Sequence, residues 1–143
     1  MSTHAMVNFC EYNEVIAKLY VHFDGYPSGL GKDLIQFFND VKNNVKDTRF
    51  SDPSYLASKF IIWQAIQDMK IKQYQEPSYL NVSGPGIIVK DDTSVDFVYN
   101  IDCSKFDSND GFPLVKVANY NGGEGEIFVT LEEAINQFKE VIE

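Results

Sequence analysis

The sequence predicts an α+β domain in which three helices pack against a mainly antiparallel sheet of about six strands. Two strand-like runs lie close together near the start, and two helix-like segments follow them. After Gly84 come four short runs rich in β-branched and aromatic residues, and then a last helical segment. The predicted order is ββ-αα-ββββ-α. Because the length suits one domain and no long linker interrupts the chain, we predict a single α+β domain over residues 1–143.

The first two strands are predicted to form a hairpin, since the runs HAMVNFC and VIAKLYVHF are separated only by EYNE. A glycine-containing loop follows. Beyond it, apolar residues recur at helical spacing and predict an amphipathic helix from Leu30 to about Val45: Leu30, Leu34, Phe37, Val41 and Val45.

A second helix is predicted from the segment SDPSYLASKFIIWQAIQDMKIKQ. Ser51 or Asp52 can cap it, and Pro53 suits the first helical position, where its missing N–H costs nothing. The middle of the segment, FIIW, is apolar nearly all round. We therefore expect this helix to be covered on more than one side.

The second half of the chain is predicted to consist of strands and turns. The strand-like runs are GIIVK, VDFVYNI, PLVKVANY and EIFVTL, and the turn clusters DDTS, DSNDG and NGGEG separate them. The chain closes with TLEEAINQFKEVIE, in which Thr130 and Glu133 have the spacing of a capping box. A third helix is therefore expected to begin at Thr130.

Composition indicates a folded protein of the cell interior. The apolar fraction is 44% and the aromatic fraction 14%, and no apolar run approaches the roughly 20 residues that a membrane helix needs. The first residues lack the basic and apolar regions of a secretory signal. Cys10 and Cys103 are too few for a disulfide framework or a zinc site, and we expect two buried thiols. We therefore expect a cytoplasmic protein that has no contact with membranes.

Net charge is distributed unevenly along the chain. Residues 1–75 are balanced, whereas residues 76–143 contain four lysines and thirteen acidic residues and account for the whole net charge of −9. Such a chain is repelled by a phosphate backbone, so direct binding to nucleic acid is not expected. An acidic surface can attract a basic protein surface. The predicted binding residues on that surface are Asp91, Asp92, Asp96, Asp107 and Asp110.

The segment GYPSGLGKD suggests an anion-binding loop, because glycines between a strand and a helix can turn backbone N–H groups towards a phosphate or carboxylate. It is not a Walker loop. Gly25 and Gly31 are separated by five residues instead of four, and Asp33 stands where Ser or Thr would hold magnesium. The candidate ligand residues are His22, Asp24, Tyr26, Gly29, Gly31 and Lys32. The alternative interpretation is that the glycines only permit a turn, with Gly25 and Gly29 adopting positive φ.

His22 and Asp24 are two residues apart at a predicted strand end, so their side chains are expected on one face, where they could act as an acid–base pair. The sequence identifies no nucleophile beside them, and Asp24 can instead close the turn before Gly25. The run DSNDGFP does not match a calcium loop, because its glycine comes one position early. We expect no metal and no cofactor.

Several segments resemble a group of small phage and mobile-element proteins. They are MSTHA, YVHFDGYPSGLGKDL, DFVYNID and FVTLEEAI, and the specific part is a strand that ends in His-x-Asp-Gly-Tyr-Pro, here His22 to Pro27. The resemblance implies a viral or prophage setting rather than a reaction. By analogy with small acidic phage proteins, it also suggests an anti-defence protein of the anti-CRISPR kind.

Three functions follow from these observations. The first is a non-enzymatic phage or prophage inhibitor of a bacterial defence system, which binds a host protein with a basic surface in the cytoplasm of the host cell. The second is a binder that sequesters a nucleotide-derived signal at the Gly29–Lys32 helix start. The third is a small hydrolase that uses His22 and Asp24. A homodimer through an exposed sheet edge or an aromatic patch remains open.

Overall fold

The computed structural model describes residues 3–72, 81–82, 84–89, 94–108, 111–120 and 127–138. Within these ranges the chain forms three α-helices and a six-stranded, mostly antiparallel sheet, which confirms the predicted α+β class and element order. The strands are β1 (Ala5–Glu11), β2 (Glu14–Val21), β3 (Gly86–Ile88), β4 (Phe97–Asp102), β5 (Leu114–Asn119) and β6 (Val129–Thr130). The helices are α1 (Lys32–Asn44), α2 (Pro53–Lys72) and α3 (Leu131–Gln137). In the part of the chain described, no helix is both long enough and apolar enough to cross a membrane.

The sheet has the order β3-β2-β1-β4-β5-β6. The predicted hairpin is present, and its turn residues Tyr12 and Asn13 both have positive φ. All neighbouring strands run antiparallel except β1 and β4, which pair in parallel with Val7 opposite Tyr99. This parallel pair places the start of β4 beside the start of β1, and therefore close to the loop that follows β2.

Local sequence accounts for where the helices begin. A π-helical turn, Pro27–Gly31, precedes α1, so the regular helix starts two residues later than Leu30. Pro53 is the first residue of α2, and the Asp52 carboxylate accepts the backbone N–H of Tyr55 at 3.4 Å. Thr130 caps α3, because its Oγ1 accepts the backbone N–H of Glu133 at 3.2 Å. The capping residues predicted for α2 and α3 are thus confirmed.

The main core lies between one face of the sheet and the helices. Helix α1 buries Leu34, Phe37, Phe38 and Val41 against it. Phe37 contacts Phe60 edge-on, with ring centroids 5.1 Å apart, and the Trp63 indole N–H donates to the Asp40 carboxylate at 2.9 Å. Because these contacts come from one side of α2, they show which side of that helix faces α1.

The opposite face of the sheet carries a second, smaller cluster. Met6, Val95 and Val98 are buried there, and the side chains packed against them come from the sheet and its adjoining segments: Tyr20, Ile88, Tyr120 and Phe128. The next row on this face is polar, with Asn8 paired to Lys18 on one side and to Asn100 on the other. The Asn8 amide donates to the Asn100 side-chain oxygen at 2.9 Å. Both faces of the central strands are therefore shielded from solvent.

Candidate functional site

The loop His22–Gly31 is held by hydrogen bonds to Thr3, which precedes β1, and to the Tyr99 side chain of β4. The N–H of Gly25 donates to the carbonyl of Thr3 at 2.9 Å, and the hydroxyl of Tyr99 donates to the carbonyl of Gly25 at 2.7 Å. Tyr99 is fully buried in β4. Burial, followed by the negative charge of Asp33, raises the pKa of the Tyr99 phenol, so the hydroxyl keeps the proton that it donates. The backbone of the loop at Gly25 is thus part of the protein interior.

The glycines of the loop are required by close packing, not by backbone conformation. Neither Gly25 nor Gly29 has positive φ, so that expectation is wrong. A β-carbon at Gly25 would lie 2.7 Å from the Ala5 β-carbon, and one at Gly29 would lie 2.8 Å from the Asp24 carbonyl oxygen. The residue that takes positive φ is Asp24, at +58°. The prediction of a constrained turn is correct, but the constraint is close packing at Gly25 and Gly29 and not positive φ.

At the predicted anion site, three backbone N–H groups donate within the loop. The N–H of Gly29 donates to the Tyr26 carbonyl at 2.9 Å, and the N–H of Leu30 donates to the carbonyls of Asp24 and Tyr26 at 3.0 Å. The N–H of Lys32 donates to the Gly29 carbonyl. Gly31 is buried under Leu131 of α3, and the Lys32 side chain is exposed. Because these backbone donors are already used within the loop, the geometry does not favour a nucleotide-derived ligand at this helix start.

His22 and Asp24 do not form an acid–base pair. Strand β2 ends at Val21, and Asp24 lies in the left-handed region, so strand alternation no longer relates the two side chains and the prediction of a shared face is wrong. The Nδ1 atom of His22 lies 2.9 Å from the Tyr20 hydroxyl, and the His22 carbonyl lies 2.8 Å from His4 Nδ1. The rings of His4 and His22 are 4.4 Å apart. These contacts place His22 in an aromatic cluster at the surface, and no carboxylate of the described residues is hydrogen-bonded to its ring.

The thiols are not nucleophiles at neutral pH. Cys10 and Cys103 are both buried, as expected. Burial, followed by the charge of Asp102, raises the pKa of Cys10 to about 11. Burial, followed by interaction with Cys10, raises the pKa of Cys103 to about 12. Since the reactive form of cysteine is the thiolate, neither side chain is suited to covalent catalysis.

Of the predicted acidic binding residues, the structure defines the side chain of Asp96 alone. Its carboxylate accepts the backbone N–H of His4 at 2.9 Å, and its own N–H donates to the His4 carbonyl. Asp96 therefore ties the start of β1 to the start of β4. Asp91, Asp92 and Asp110 lie outside the described residues, and Asp107 is described only as part of a 3-10 helix, Cys103–Ser108. The acidic surface stays a prediction for these four residues.

The sequence did not identify an apolar surface that α2 and β3 present to solvent. Helix α2 exposes Ile62 (56%) and Ile66 (40%), and the β3 segment exposes Ile87 (78%) and Val89 (90%). We call these four residues the apolar edge surface. The expectation that α2 is covered on more than one side is not met at Ile62 and Ile66. Two features of the sequence could have predicted this surface: the run FIIW, which is apolar nearly all round the helix, and the uncharged run GIIV.

A groove of about 430 Å³ separates α2 from the β2–β3 edge. Ser54, Ser58 and Ile61 of α2 line one side, and Ile87 and Val89 line the other. Ser54, Ser58, Ile62 and Ile66 are spaced four residues apart, so they form one row along the helix. The groove, which we call the edge groove, shares Ile87 and Val89 with the apolar edge surface.

Among the described residues, no group of three or more His, Cys, Asp or Glu side chains could hold a metal ion. A second cavity, of about 330 Å³, lies between α1, β5 and α3, where Phe38, Pro113 and Leu131 contribute to its wall. Among the described residues that line it, Glu132 is the one that is ionisable.

Comparison of the chain with protein-family models, with curated proteins and with solved structures gave no match. The site geometry therefore carries the functional argument.

Proposed function

We propose that this protein is a non-enzymatic inhibitor that acts by binding another protein, and that its target is a basic protein of a bacterial defence system. The observation that carries the proposal is the apolar edge surface. A folded protein exposes single apolar side chains routinely, but a row on a helix beside two exposed side chains on a strand edge is typical of a contact surface.

The chemistry of the remaining candidates supports binding over catalysis. His22 has Tyr20 as its side-chain partner in place of Asp24, and the thiols Cys10 and Cys103 stay protonated at neutral pH. At the Gly29–Lys32 helix start, the backbone N–H groups of Gly29, Leu30 and Lys32 are used within the loop. None of these groups has the arrangement of nucleophile, base and orienting partner that a hydrolase needs.

The net charge of −9 supports a basic partner. Opposite charges accelerate the encounter of two proteins, whereas apolar contacts in the centre of the interface determine how slowly they separate. The resemblance to phage proteins through His22–Pro27 supports a host defence protein as the target. Defence proteins that bind nucleic acid carry basic grooves, which an acidic inhibitor can occupy.

The test is phage plating on bacteria that express the protein together with one of a panel of defence systems, CRISPR–Cas systems included. We expect at least a tenfold rise in plaque number with one system. Replacing Ile62 and Ile66 by Gln should remove that rise, whereas the double change His22→Ala, Asp24→Asn should preserve it. Melting temperatures of the purified variants control for folding. A rise that depends on His22 and Asp24 would contradict the proposal and favour an enzyme.

The acidic contribution is tested by binding kinetics once the target is known. Asp91 and Asp92 should be changed together to Asn, and Asp96 left intact because it ties β1 to β4. We expect slower association and weaker dependence on salt, since screening has a Debye length of about 10 Å at 0.1 M. Lys42→Gln with Lys46→Gln is the matched control. An association rate that changes neither with salt nor with the Asp91 and Asp92 substitutions would rule out electrostatic attraction at these positions.

A further inference from the structure

His4 and His22 meet at the end of the sheet where β1 begins and β2 ends. Within the β1–β2 hairpin, Ala5 pairs with Val21. The residues that flank this pair are His4, just before β1, and His22, just after β2. Their ring centroids are 4.4 Å apart, with an angle of 35° between the ring planes. The chain has two histidines, and the hairpin thus brings both of them into contact.

Both imidazoles use Nδ1 within the protein. The Nδ1 atom of His4 lies 2.8 Å from the His22 carbonyl oxygen. Since a carbonyl oxygen can only accept, this Nδ1 carries the hydrogen, and the Nε2 atom of neutral His4 has an available electron pair. The Nδ1 atom of His22 lies 2.9 Å from the Tyr20 hydroxyl, which can accept from an Nδ1–H. Among the described residues, neither Nε2 atom has a hydrogen-bond partner.

This arrangement is typical of histidines that bind a metal ion. In such histidines one ring nitrogen donates to an oxygen of the protein, which orients the ring and leaves the other nitrogen for the ion. Aromatic contacts further restrict both rings: His4 stacks on Tyr20 with centroids 5.9 Å apart, and Phe23 meets His22 edge-on at 4.6 Å. Two imidazoles that share one zinc ion through bonds of about 2.0–2.1 Å have ring centroids about 4.5–5 Å apart. The observed separation of the rings therefore suits a shared ion.

We propose that His4 and His22 bind one Zn²⁺ ion through their Nε2 atoms. Imidazole nitrogen is a good ligand for Zn²⁺, whereas Mg²⁺ and Ca²⁺ take oxygen ligands. The carboxylate of Asp96, which accepts the backbone N–H of His4, places a negative charge next to this pair. Zinc usually takes four ligands, so the remaining positions are open to water or to a side chain of another molecule.

This inference goes beyond the proposed function and does not depend on it. The double change His22→Ala, Asp24→Asn removes one of the two zinc ligands, yet we expect it to preserve inhibition. The inference differs from the expectation of no metal, because His4 and His22 are 18 residues apart and come together only through strand pairing. An ion at this position would join the start of β1 to the end of β2. It would stabilise the protein, since an ion that binds only the folded chain favours folding.

The first test is a Zn²⁺ titration of the full chain, followed by NMR of the histidine ring nitrogens. Because the chain has two histidines, the two rings can be followed separately. We expect the Nε2 resonances of His4 and His22 to shift together, with one dissociation constant of roughly 10–100 μM. A shift in one ring alone, or no shift at about 1 mM Zn²⁺, would overturn the inference. This measurement uses the natural chain, so it does not depend on the folding of a variant.

The second test compares melting temperatures in Zn²⁺ and in a chelator. We expect about 1 mM Zn²⁺ to raise the melting temperature of the natural chain by at least about 3 °C. His4→Gln and His22→Gln should each lose most of this rise, because glutamine keeps a polar side chain but has no imidazole. Asp24→Asn is the matched control and should retain the rise. It removes a charge from the same loop, and asparagine tolerates the φ of +58° at this position.

Mg²⁺ at the same concentration should leave the melting temperature unchanged, because it is a poor partner for imidazole. An equal rise with Mg²⁺, or a full rise with Zn²⁺ in both histidine variants, would mean that cations are attracted to the acidic chain in general. Either result would overturn the inference.

Discussion

The His22–Gly31 loop and the apolar edge surface differ in what their groups contact. In the loop, the backbone groups of Gly25, Gly29 and Leu30 bond to the protein, and buried glycines admit close packing. At the edge surface, Ile87 and Val89 are largely exposed, and β3 leaves one side unpaired in the described sheet. Satisfied groups stabilise the fold, whereas unsatisfied edges and exposed apolar side chains remain available for a partner. Changes in the loop should therefore affect stability, and changes at the surface should affect binding.

The largest expected effect in this comparison is at Gly25. A β-carbon there would lie 2.7 Å from the Ala5 β-carbon and 2.9 Å from the Thr3 carbonyl oxygen. We expect Gly25→Ala to lower the free energy of unfolding by about 3 kcal/mol, as overpacking does in tight sites. Denaturant unfolding measures the effect.

Gly84→Ala is the matched control, because a β-carbon at Gly84 meets nothing within 4 Å. The two substitutions reduce the freedom of the unfolded chain equally, so their difference isolates packing in the folded state. Equal stability of the two variants would show that the loop is not held against β1.

Removing the hydroxyl that holds the loop should give the next largest effect. Tyr99→Phe leaves the Gly25 carbonyl without its buried donor, and we expect a loss of about 1–2 kcal/mol in the free energy of unfolding. Tyr12→Phe, at an exposed tyrosine of the hairpin turn, should change stability by less than about 0.5 kcal/mol. A loss at position 12 as large as that at position 99 would contradict the anchoring role of Tyr99.

Asp33, just after the loop, should give the smallest effect. Although Asp33 is an exposed residue, partial desolvation by its neighbours raises the pKa of its carboxyl above 3.8; a hydrogen bond from Gln64 opposes this rise, and the charge of Asp24 adds to it. The folded protein therefore holds this proton more tightly than the unfolded chain does. The stability that this group contributes is present below pH 3.8 and is lost as pH rises through the raised pKa.

We accordingly expect Asp33→Asn to be slightly more stable than the natural chain at neutral pH and equally stable in acid. Unfolding measured across this pH range checks the sign. Asp24→Asn should lower the pKa of Asp33, which NMR titration of the carboxyl can follow. A natural chain more stable than Asp33→Asn at pH 7 would show that the ionised carboxylate is favoured at this helix start.

Local patterns accounted for the element order but only partly for the candidate site. The helix caps at Asp52 and Thr130 involve groups within three residues of one another, so a short window of sequence contains both partners. The His22–Asp24 pairing failed because it assumed that β2 continued beyond Val21. Asp96 was expected on a binding surface, but its carboxylate is bound by the backbone of His4, 92 residues away. No local pattern contains that contact.

The sequence by itself determined the α+β class, the hairpin, the caps of α2 and α3 and the acidic second half, because propensity, periodicity and charge act over short stretches or over the whole composition. Only the tertiary structure decided that β1 and β4 pair in parallel and that Tyr99 reaches Gly25, 74 residues away. It also decided that Ile62, Ile66, Ile87 and Val89 face solvent. Burial depends on which distant elements come to lie on each side of a helix or strand, and an apolar run looks the same in sequence whether or not another element covers it.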